Sequence, residues 1–157
     1  MTESTLALFV QASQEIFSEI GFHELLLSDS GGGEHRFEVM ASIGIAGDIC
    51  GFLSLRCSMN SAISFIDRIL KNMEMDAEEE GFGQFHREAL GEIVNQVSGR
   101  STVLLSESGY DCDITPPTIL VGDSIGFDMQ EVSDSYTRNI NGDFGSINLF
   151  VGVKCEK

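Results

Sequence analysis

The chain has 157 residues, of which 42% are hydrophobic and 22% charged, and its 25 acidic residues outnumber its 9 basic ones to give a formal net charge of −16. This length suits one domain with a single core, and the composition is typical of a globular protein rather than a disordered one. So much negative charge repels nucleic acid and anionic membrane surfaces, and we expect neither as a partner. We therefore predict a single folded domain over residues 1–157.

The spacing of cysteines and histidines gives no sign of a metal site. There is no CxxC pair, we recognise no signal peptide ahead of the cysteines, and the three histidines stand alone in the sequence. We therefore predict free thiols in a reducing cytoplasm and no cofactor or metal held by this chain. No apolar run reaches the ~20 residues of a bilayer-spanning helix. The four cysteines are Cys50, Cys57, Cys112 and Cys155.

The first half of the chain is predicted to form a helix, several strands and a second helix. Apolar residues at three- and four-residue spacing indicate the helices, and Ala46-Gly47-Asp48 is typical of a hairpin turn. Ser4 or Thr5 is the expected N-cap of the first helix and Asn60 that of the second. The elements, in order, are a helix over Thr5–Ile20, strands over His23–Leu27, Arg36–Ile45 and Ile49–Cys57, and a helix to about Met73, with a glycine-rich loop over 28–33.

An acidic linker over 76–83 leads into a central amphipathic helix, Phe85–Gly99. The expected buried stripe consists of Phe85, Ala89, Leu90, Ile93, Val94 and Val97. A line of polar residues, Glu88, Glu92 and Asn95, recurs at the same spacing on the opposite side and leads to Gly99, which could adopt the left-handed conformation of a C-cap. The sequence beyond Gly99 predicts one or two further helical turns, ended by Gly109.

The remaining sequence is predicted to be mostly strands. Thr115-Pro116-Pro117 fits neither a helix nor a central strand, so we expect a rigid loop or an extended edge there. Asn141-Gly142-Asp143 is a hairpin signal. The expected strands are Ser124–Met129, Asp134–Asn139 and Ile147–Val153.

The two halves of the chain repeat one another. The first helix contains ASQEIFSEI over 12–20 and the central helix ALGEIVNQV over 89–97, so Glu15 aligns with Glu92 and Ser18 with Asn95. Each helix is followed by extended segments that close in a Gly-Asp hairpin. We therefore predict an α/β (α+β) fold in which a helix-plus-hairpin unit is duplicated, with two long helices packed side by side on a largely antiparallel sheet. Only the second copy carries the carboxamide.

The segment from Arg87 to about Val121 resembles the CheC/CheX/FliY phosphatases of bacterial chemotaxis, and their CheX members most closely. The resemblance depends on EIVNQVSG over 92–99, on ALG just before it, and on SESGY and DITPP downstream. It implies a CheC-like two-layer fold. Glu88 stands where two-site relatives commonly have Asp or Ser.

The resemblance implies a function as well as a fold. It implies dephosphorylation of phospho-CheY or a CheY-like receiver domain, with Glu92 pairing with a receiver lysine and Asn95 orienting the attacking water. Glu88, Gln96 and Gly99 are then assigned to partner binding. Mg²⁺ is expected on the receiver rather than on this chain, and the protein is expected to be a cytoplasmic homodimer with one site per chain.

The chemistry agrees with these roles, although other interpretations stay open. An aspartyl phosphate already reacts with water, so catalysis needs positioning more than a covalent nucleophile, and a carboxamide can hold water by donating and accepting hydrogen bonds. The Glu-x-x-Asn pair alone also occurs by chance on an ordinary solvated helix face. One alternative is a non-catalytic module that binds a receiver or flagellar switch component. Another is a metal hydrolase that uses Glu88, Glu92 and loop aspartates.

Overall fold

Alternating burial along the strands and one-sided burial along the helices give this chain a two-layer architecture. The computed structural model describes residues 3–23, 26–29, 36–76, 81–126 and 134–156. The helices are α1 (Glu3–Glu19), α2 (Met59–Asn72) and α3 (Gln84–Glu107). The strands are β1 (Leu26–Asp29), β2 (Phe37–Gly47), β3 (Ile49–Cys57), β4 (Cys112–Ile114), β5 (Thr118–Ile125), β6 (Asp134–Gly142) and β7 (Gly145–Glu156).

All paired strands are antiparallel, and their order is β1-β6-β7-β3-β2, with β4 and β5 both pairing with β2. The first copy of the repeat comprises α1 and β1 to β3, and the second comprises α3 and β4 to β7. Each hairpin is flanked by a strand of the other copy, because β1 pairs with β6 and β5 with β2. The central β3–β7 pair joins the two hairpins, so the sheet has a pseudo-twofold arrangement.

Both predicted hairpins are present. β2 and β3 are joined at Gly47 and Asp48, and Gly47 has φ +121°. A Cβ at Gly47 would lie 2.4 Å from the carbonyl oxygen of Asp111, so both the conformation and the close approach require glycine. The pairing of β6 with β7 extends to Gly142 and Gly145, so the turn consists of Asp143 and Phe144. It therefore begins at the last residue of the predicted signal Asn141-Gly142-Asp143.

The core lies between one face of the sheet and the helices. Alternate residues of the strands, such as Val39, Leu53 and Val151, are fully buried against apolar side chains of α1, α2 and α3. A group of aromatic rings from α1, α2 and the β6–β7 turn fills one end of this core. These rings belong to Phe17, Phe22, Phe65 and Phe144.

The central helix differs from the prediction at two of its residues, Gly99 and Phe85. α3 continues through Gly99 to Glu107, so Gly99 is an interior helical residue and not a C-cap. The helix ends at Ser108, and Gly109 follows with φ +92°, as the downstream sequence predicted. Phe85 was wrongly placed in the buried stripe: it is 42% exposed, whereas the adjacent His86 is 1% exposed.

Several other boundaries also differ. The N-cap of α2 is Ser58, whose hydroxyl accepts a hydrogen bond from the Ser61 amide at 3.1 Å, so the prediction of Asn60 was wrong. α1 begins at Glu3, which places Ser4 and Thr5 inside the helix. Strand boundaries shift at β1 and β5 relative to His23–Leu27 and Ser124–Met129. The predicted loop over 28–33 was wrong for residues 28 and 29, which belong to β1. The rest of that loop, the acidic run 78–80 and residues 127–129 lie outside the described residues.

The prediction of free thiols was wrong for Cys50, which is disulfide-bonded, whereas Cys57 and Cys112 are free. The register of the β3–β7 pair sets Cys155 opposite Cys50. Burial and, to a smaller extent, the charge of the nearby Glu38 together raise the pKa of Cys57 to about 12. The spacing of Cys50 along the chain gave no sign of its disulfide bond.

Charged groups link the two long helices. Arg100 of α3 donates to Glu15 at 2.8 Å through Nη1 and to Glu19 at 2.7 Å through Nη2, and both carboxylates belong to α1. Hydrogen bonds from Gln11 and Arg100 lower the pKa of Glu15 below its ordinary value. The hydrogen bonds that Arg100 donates to Glu19 and Glu15 raise the pKa of Arg100, which therefore stays charged at any physiological pH.

The lowered pKa of Glu15 predicts a pH-dependent contribution to stability. This contribution is fully present above the ordinary Glu pKa and is lost as the pH falls through the lower pKa of the folded state. The Tm difference between the wild type and Glu15→Gln should therefore be largest near neutral pH and vanish in acid, as measured by thermal denaturation from pH 7 to pH 2. It should also shrink in high salt, because the pair is solvent-exposed.

The matched control for this experiment is Glu88→Gln. Glu88 also accepts a hydrogen bond from a glutamine four residues earlier, Gln84, at 3.1 Å, but it has no arginine partner within the described part of the chain. A Tm difference for Glu15→Gln that stays constant across this pH range would contradict the prediction.

Candidate functional site

The rotation of α3 about its axis is set by its buried side. Leu90, Val94 and Val97 are fully buried in the core, and Ile93 is 6% exposed. Residues three and four positions apart share a face of a helix, so burial on this side turns the line through Glu88, Glu92 and Asn95 away from the sheet. The side chains of Glu88 and Glu92 are exposed and Asn95 is half-buried.

The N-terminal end of α3 is fixed by His86. Its Nε2 lies 2.9 Å from Oδ1 of Asp67 on α2, and its Nδ1 accepts a hydrogen bond from the Gly83 amide at 3.3 Å. Because Nδ1 accepts, the ring proton is assigned to Nε2, which donates to the Asp67 carboxylate. The buried imidazole therefore ties the first turn of α3 both to the preceding loop and to α2.

The proline-containing loop supports the middle of α3, where it acts as the rigid loop that the sequence predicted. The Thr115 amide donates to the Gly44 carbonyl at 3.0 Å, and its Oγ1 accepts from the Gly44 amide at 2.8 Å, which fixes the loop to β2. Pro117 then packs against α3 at Gly91, where an added Cβ would lie 3.7 Å from Pro117 Cγ. The loop thus contacts α3 one residue before Glu92.

The two predicted catalytic side chains differ in how they are held. Oε1 of Glu92 accepts a hydrogen bond from Gln96 Nε2 at 3.2 Å, one helical turn away. Within the described part of the chain, no cation lies within ion-pair distance of Glu92, and the Asn95 carboxamide makes no hydrogen bond. A carboxylate without a countercharge and an amide with free donors and acceptors are therefore presented side by side, and both suit groups supplied by another molecule.

The aligned positions in the first copy are occupied from within the chain. Glu15, which aligns with Glu92, accepts hydrogen bonds from Gln11 and Arg100. Ser18, which aligns with Asn95, lies 3.3 Å from Nδ1 of His23. The two copies thus align residue by residue along the helix but differ in their contacts. The polar side chains of the first copy have partners within the chain, whereas those of the second can accept contacts from another molecule.

The sequence prediction missed both Arg100 and His86. Neither has a local signal, because the partners of Arg100 lie on α1 and the partner of His86 through Nε2 lies on α2. The one available hint for Arg100 was the excess of acidic residues, which makes a partly buried arginine a strong candidate for an ion pair. Gln96, also predicted at the site, is exposed and contacts Glu92, and Gly99 is half-buried on the same face.

Two further properties concern the part of the chain that the structure describes. It contains no group of three or more His, Cys, Asp or Glu side chains arranged to hold a metal ion. Its helices include none that combines the length and the apolar character needed to cross a bilayer.

Comparison with known sequences identifies the family. The family model described as chemotaxis phosphatase CheX matches residues 39–140, which is more than half of the chain. A Thermotoga maritima protein named CheY-P phosphatase CheX is 32% identical over 80 residues, a match that spans 51% of this chain and 49% of that protein. The alignment therefore covers about half the length of this curated relative.

Solved structures share the fold. A CheC-like superfamily protein from Shewanella sp. PV-4 has a TM-score of 0.81 at 19% identity, covering 99% of this chain and 100% of that one. A chain of the CheX-CheY-BeF3-Mg²⁺ complex from Borrelia burgdorferi matches with a TM-score of 0.73 at 18% identity, covering 96% of this chain and 97% of that one. The predicted fold of duplicated helix and hairpin units on an antiparallel sheet is therefore confirmed.

The family model extends from β2 into β6 and includes the whole of α3, the helix whose sequence resembles CheX. The chain belongs to the chemotaxis phosphatase CheX family.

Proposed function

We propose that this protein accelerates hydrolysis of the aspartyl phosphate on a phosphorylated CheY-like receiver domain. The observation that carries the proposal is the contrast between the two copies. The side chains of Glu92 and Asn95 project from a firmly packed helix. Among the described residues, Glu92 accepts a hydrogen bond from Gln96 but has no cation partner, and the Asn95 carboxamide makes no hydrogen bond, whereas Glu15 and Ser18 are engaged within the chain. An open carboxylate beside an open carboxamide suits entry into the active site of another protein.

The comparisons support this choice of partner. The Thermotoga maritima relative is named as a phosphatase of phosphorylated CheY, and the Borrelia burgdorferi structure is of a CheX–CheY complex. The formal charge of −16 also favours a partner that offers a cation at its binding surface. We place Mg²⁺ on the receiver, and we place the reaction in the cytoplasm, where a receiver domain would be encountered.

In the proposed reaction, a water oxygen bonds to phosphorus as the bond between phosphorus and the aspartate oxygen breaks. The aspartate leaves as a carboxylate with the bonding electron pair. One proton of the water stays on the attacking oxygen, and the other passes to another oxygen of the phosphate product. Asn95 holds the water in line by accepting a hydrogen bond from it through Oδ1, while Nδ2 donates to a neighbouring oxygen. An amide does not titrate near neutral pH, so its contribution is positioning and not general-base catalysis.

Glu92 has a different role in this proposal. Its carboxylate pairs with a lysine ammonium group of the receiver and so sets the depth and direction at which Asn95 enters. The hydrogen bond from Gln96 orients the Glu92 carboxylate before the partner arrives. Glu88, one turn earlier on the same face, adds negative charge to the binding surface.

We expect Asn95→Ala to reduce the acceleration of receiver dephosphorylation by roughly 100-fold, because ordering a water molecule contributes on the order of 3 kcal/mol to the barrier. The measurement is the decay of radiolabelled phosphoreceiver with and without each variant. Ser18→Ala is the matched control, since it alters the aligned residue of the first copy and should retain wild-type activity. Circular dichroism should show that both variants keep the fold.

Three outcomes would overturn parts of the proposal. Full activity in Asn95→Ala would remove the amide from the mechanism. If the wild type binds the receiver but does not speed its decay, the protein is a non-catalytic receiver-binding module. Activity on a metal-free substrate that is lost on chelation would instead indicate a metal hydrolase.

For Glu92→Ala we expect KM to rise about tenfold while kcat changes little, because a docking contact contributes to binding in both the ground state and the transition state. Steady-state kinetics with increasing phosphoreceiver separate the two parameters. A fall in kcat at unchanged KM would contradict a docking role and assign Glu92 to the chemical step.

We also propose a homodimer formed along the edge of the sheet at β5. This strand pairs with β2 and has no second partner strand in the described part of the chain. Leu120 and Val121 on it are 46% and 37% exposed. An edge strand with exposed apolar side chains favours pairing with another chain.

Sedimentation equilibrium tests the homodimer. The wild type should have twice the mass of one chain. Leu120→Lys should shift it toward the monomer, because the lysines on the β5 strands of the two chains would repel each other. Met73→Lys, which changes a 62% exposed residue after α2, is the control and should leave the mass unchanged. A monomeric wild type at tens of micromolar concentration would refute the proposal.

A further inference from the structure

Gly99 occupies a position where the helix itself has no use for glycine. It lies in the interior of α3, eight residues before the last helical residue, Glu107, and is not among the residues with positive φ. Of the residues other than proline, glycine is the weakest helix former, because fixing its backbone costs the most conformational entropy. An alanine at Gly99 would make α3 more stable unless packing required the glycine.

Packing against the described residues does not require it. A Cβ built at Gly99 meets no atom within 4 Å. Gly91, also in α3, shows the contrast: a Cβ there would touch Ile119 and Pro117, each at 3.7 Å, which is ordinary van der Waals contact. Gly91 therefore faces the interior of the protein. A Cβ at Gly99 would instead point into space that none of the described residues fills.

The position of Gly99 connects this space to the proposed site. It lies four residues after Asn95 and seven after Glu92, and both spacings place it on the same helix face. Four residues further along, Val103 is 54% exposed. The open backbone at Gly99 thus lies between the proposed catalytic amide and an exposed apolar side chain.

We propose that Gly99 is the point at which the receiver domain comes closest to the backbone of α3, and that the absence of a side chain there is a condition for binding. This inference rests on the proposed function. The contact would continue from Glu92 and Asn95 across Gly99 to Val103, so that an apolar group of the receiver next to its cationic site rests on the bare helix backbone. Any side chain at Gly99 would hold the receiver away from Asn95.

The test compares Gly99→Ala with Gly91→Ala. Both substitutions add one methyl group to α3, and both should raise Tm by roughly 2–4 °C, because alanine is the better helix former in a chain of this size. Only Gly99→Ala should weaken binding, with KM for phosphoreceiver raised roughly tenfold by overpacking at the interface. Gly99→Leu should raise KM further. Binding is measured directly by titration with a CheY receiver activated by BeF3⁻ and Mg²⁺.

The outcomes separate this inference from the proposed function. If Gly99→Ala is stabilised and binds and hydrolyses as the wild type does, the receiver does not approach Gly99 and the inference fails, while the function stands. If Gly99→Ala lowers Tm, the glycine has a role within the chain and the inference also fails. If the wild type neither binds the activated receiver nor accelerates its dephosphorylation, the proposed function fails and this inference fails with it.

Discussion

The candidate site depends on the one-sided burial of α3. Leu90, Val94 and Val97 are sealed in the core, and each contributes about 1.5–3 kcal/mol of transfer free energy that would be lost if the helix turned about its axis. The rotation that buries these side chains is the one that presents Glu92 and Asn95. The helix is then held at its start by His86, near its middle by Pro117 and in its second half by Arg100. The polar face is therefore both exposed and rigidly supported.

The ion pairs of Arg100 give a physical account of why the two copies are not equivalent. Cations are scarce in this chain, with 9 basic residues against 25 acidic ones, and Arg100 binds two carboxylates of α1. One of these carboxylates is that of Glu15, the residue that aligns with Glu92. The ion pair that joins the two long helices therefore also removes the first copy's carboxylate from use by a partner, while Glu92 is left without a cation among the described residues.

The sequence predicted the fold and the central helix well, because both depend on local patterns. Helical spacing located α3 and its polar face, the Gly-Asp signals located both hairpins, and the internal repeat indicated the paired arrangement of two helices on one sheet. The errors came from interactions between distant segments. His86 is buried where its Nε2 donates a hydrogen bond to the Asp67 carboxylate of α2, and Phe85 lies at the surface instead. Cys50 is disulfide-bonded although its spacing along the chain gave no sign of a bond. Gly99 was read as a helix end because glycine usually marks one, whereas the residues on both sides of it continue the helix.

Carrying both copies on one polypeptide frees them to diverge. In a symmetric dimer of identical chains, every substitution appears on both faces at once, so an ion pair that closed one face would close the other. Here β1 and β5 are exchanged between the copies, so the assembly keeps the symmetry of such a dimer while each helix is encoded separately. Substitutions on α1 can therefore serve the contact between the two helices without being copied onto α3, and the face of α3 that carries Asn95 can change without loosening that contact.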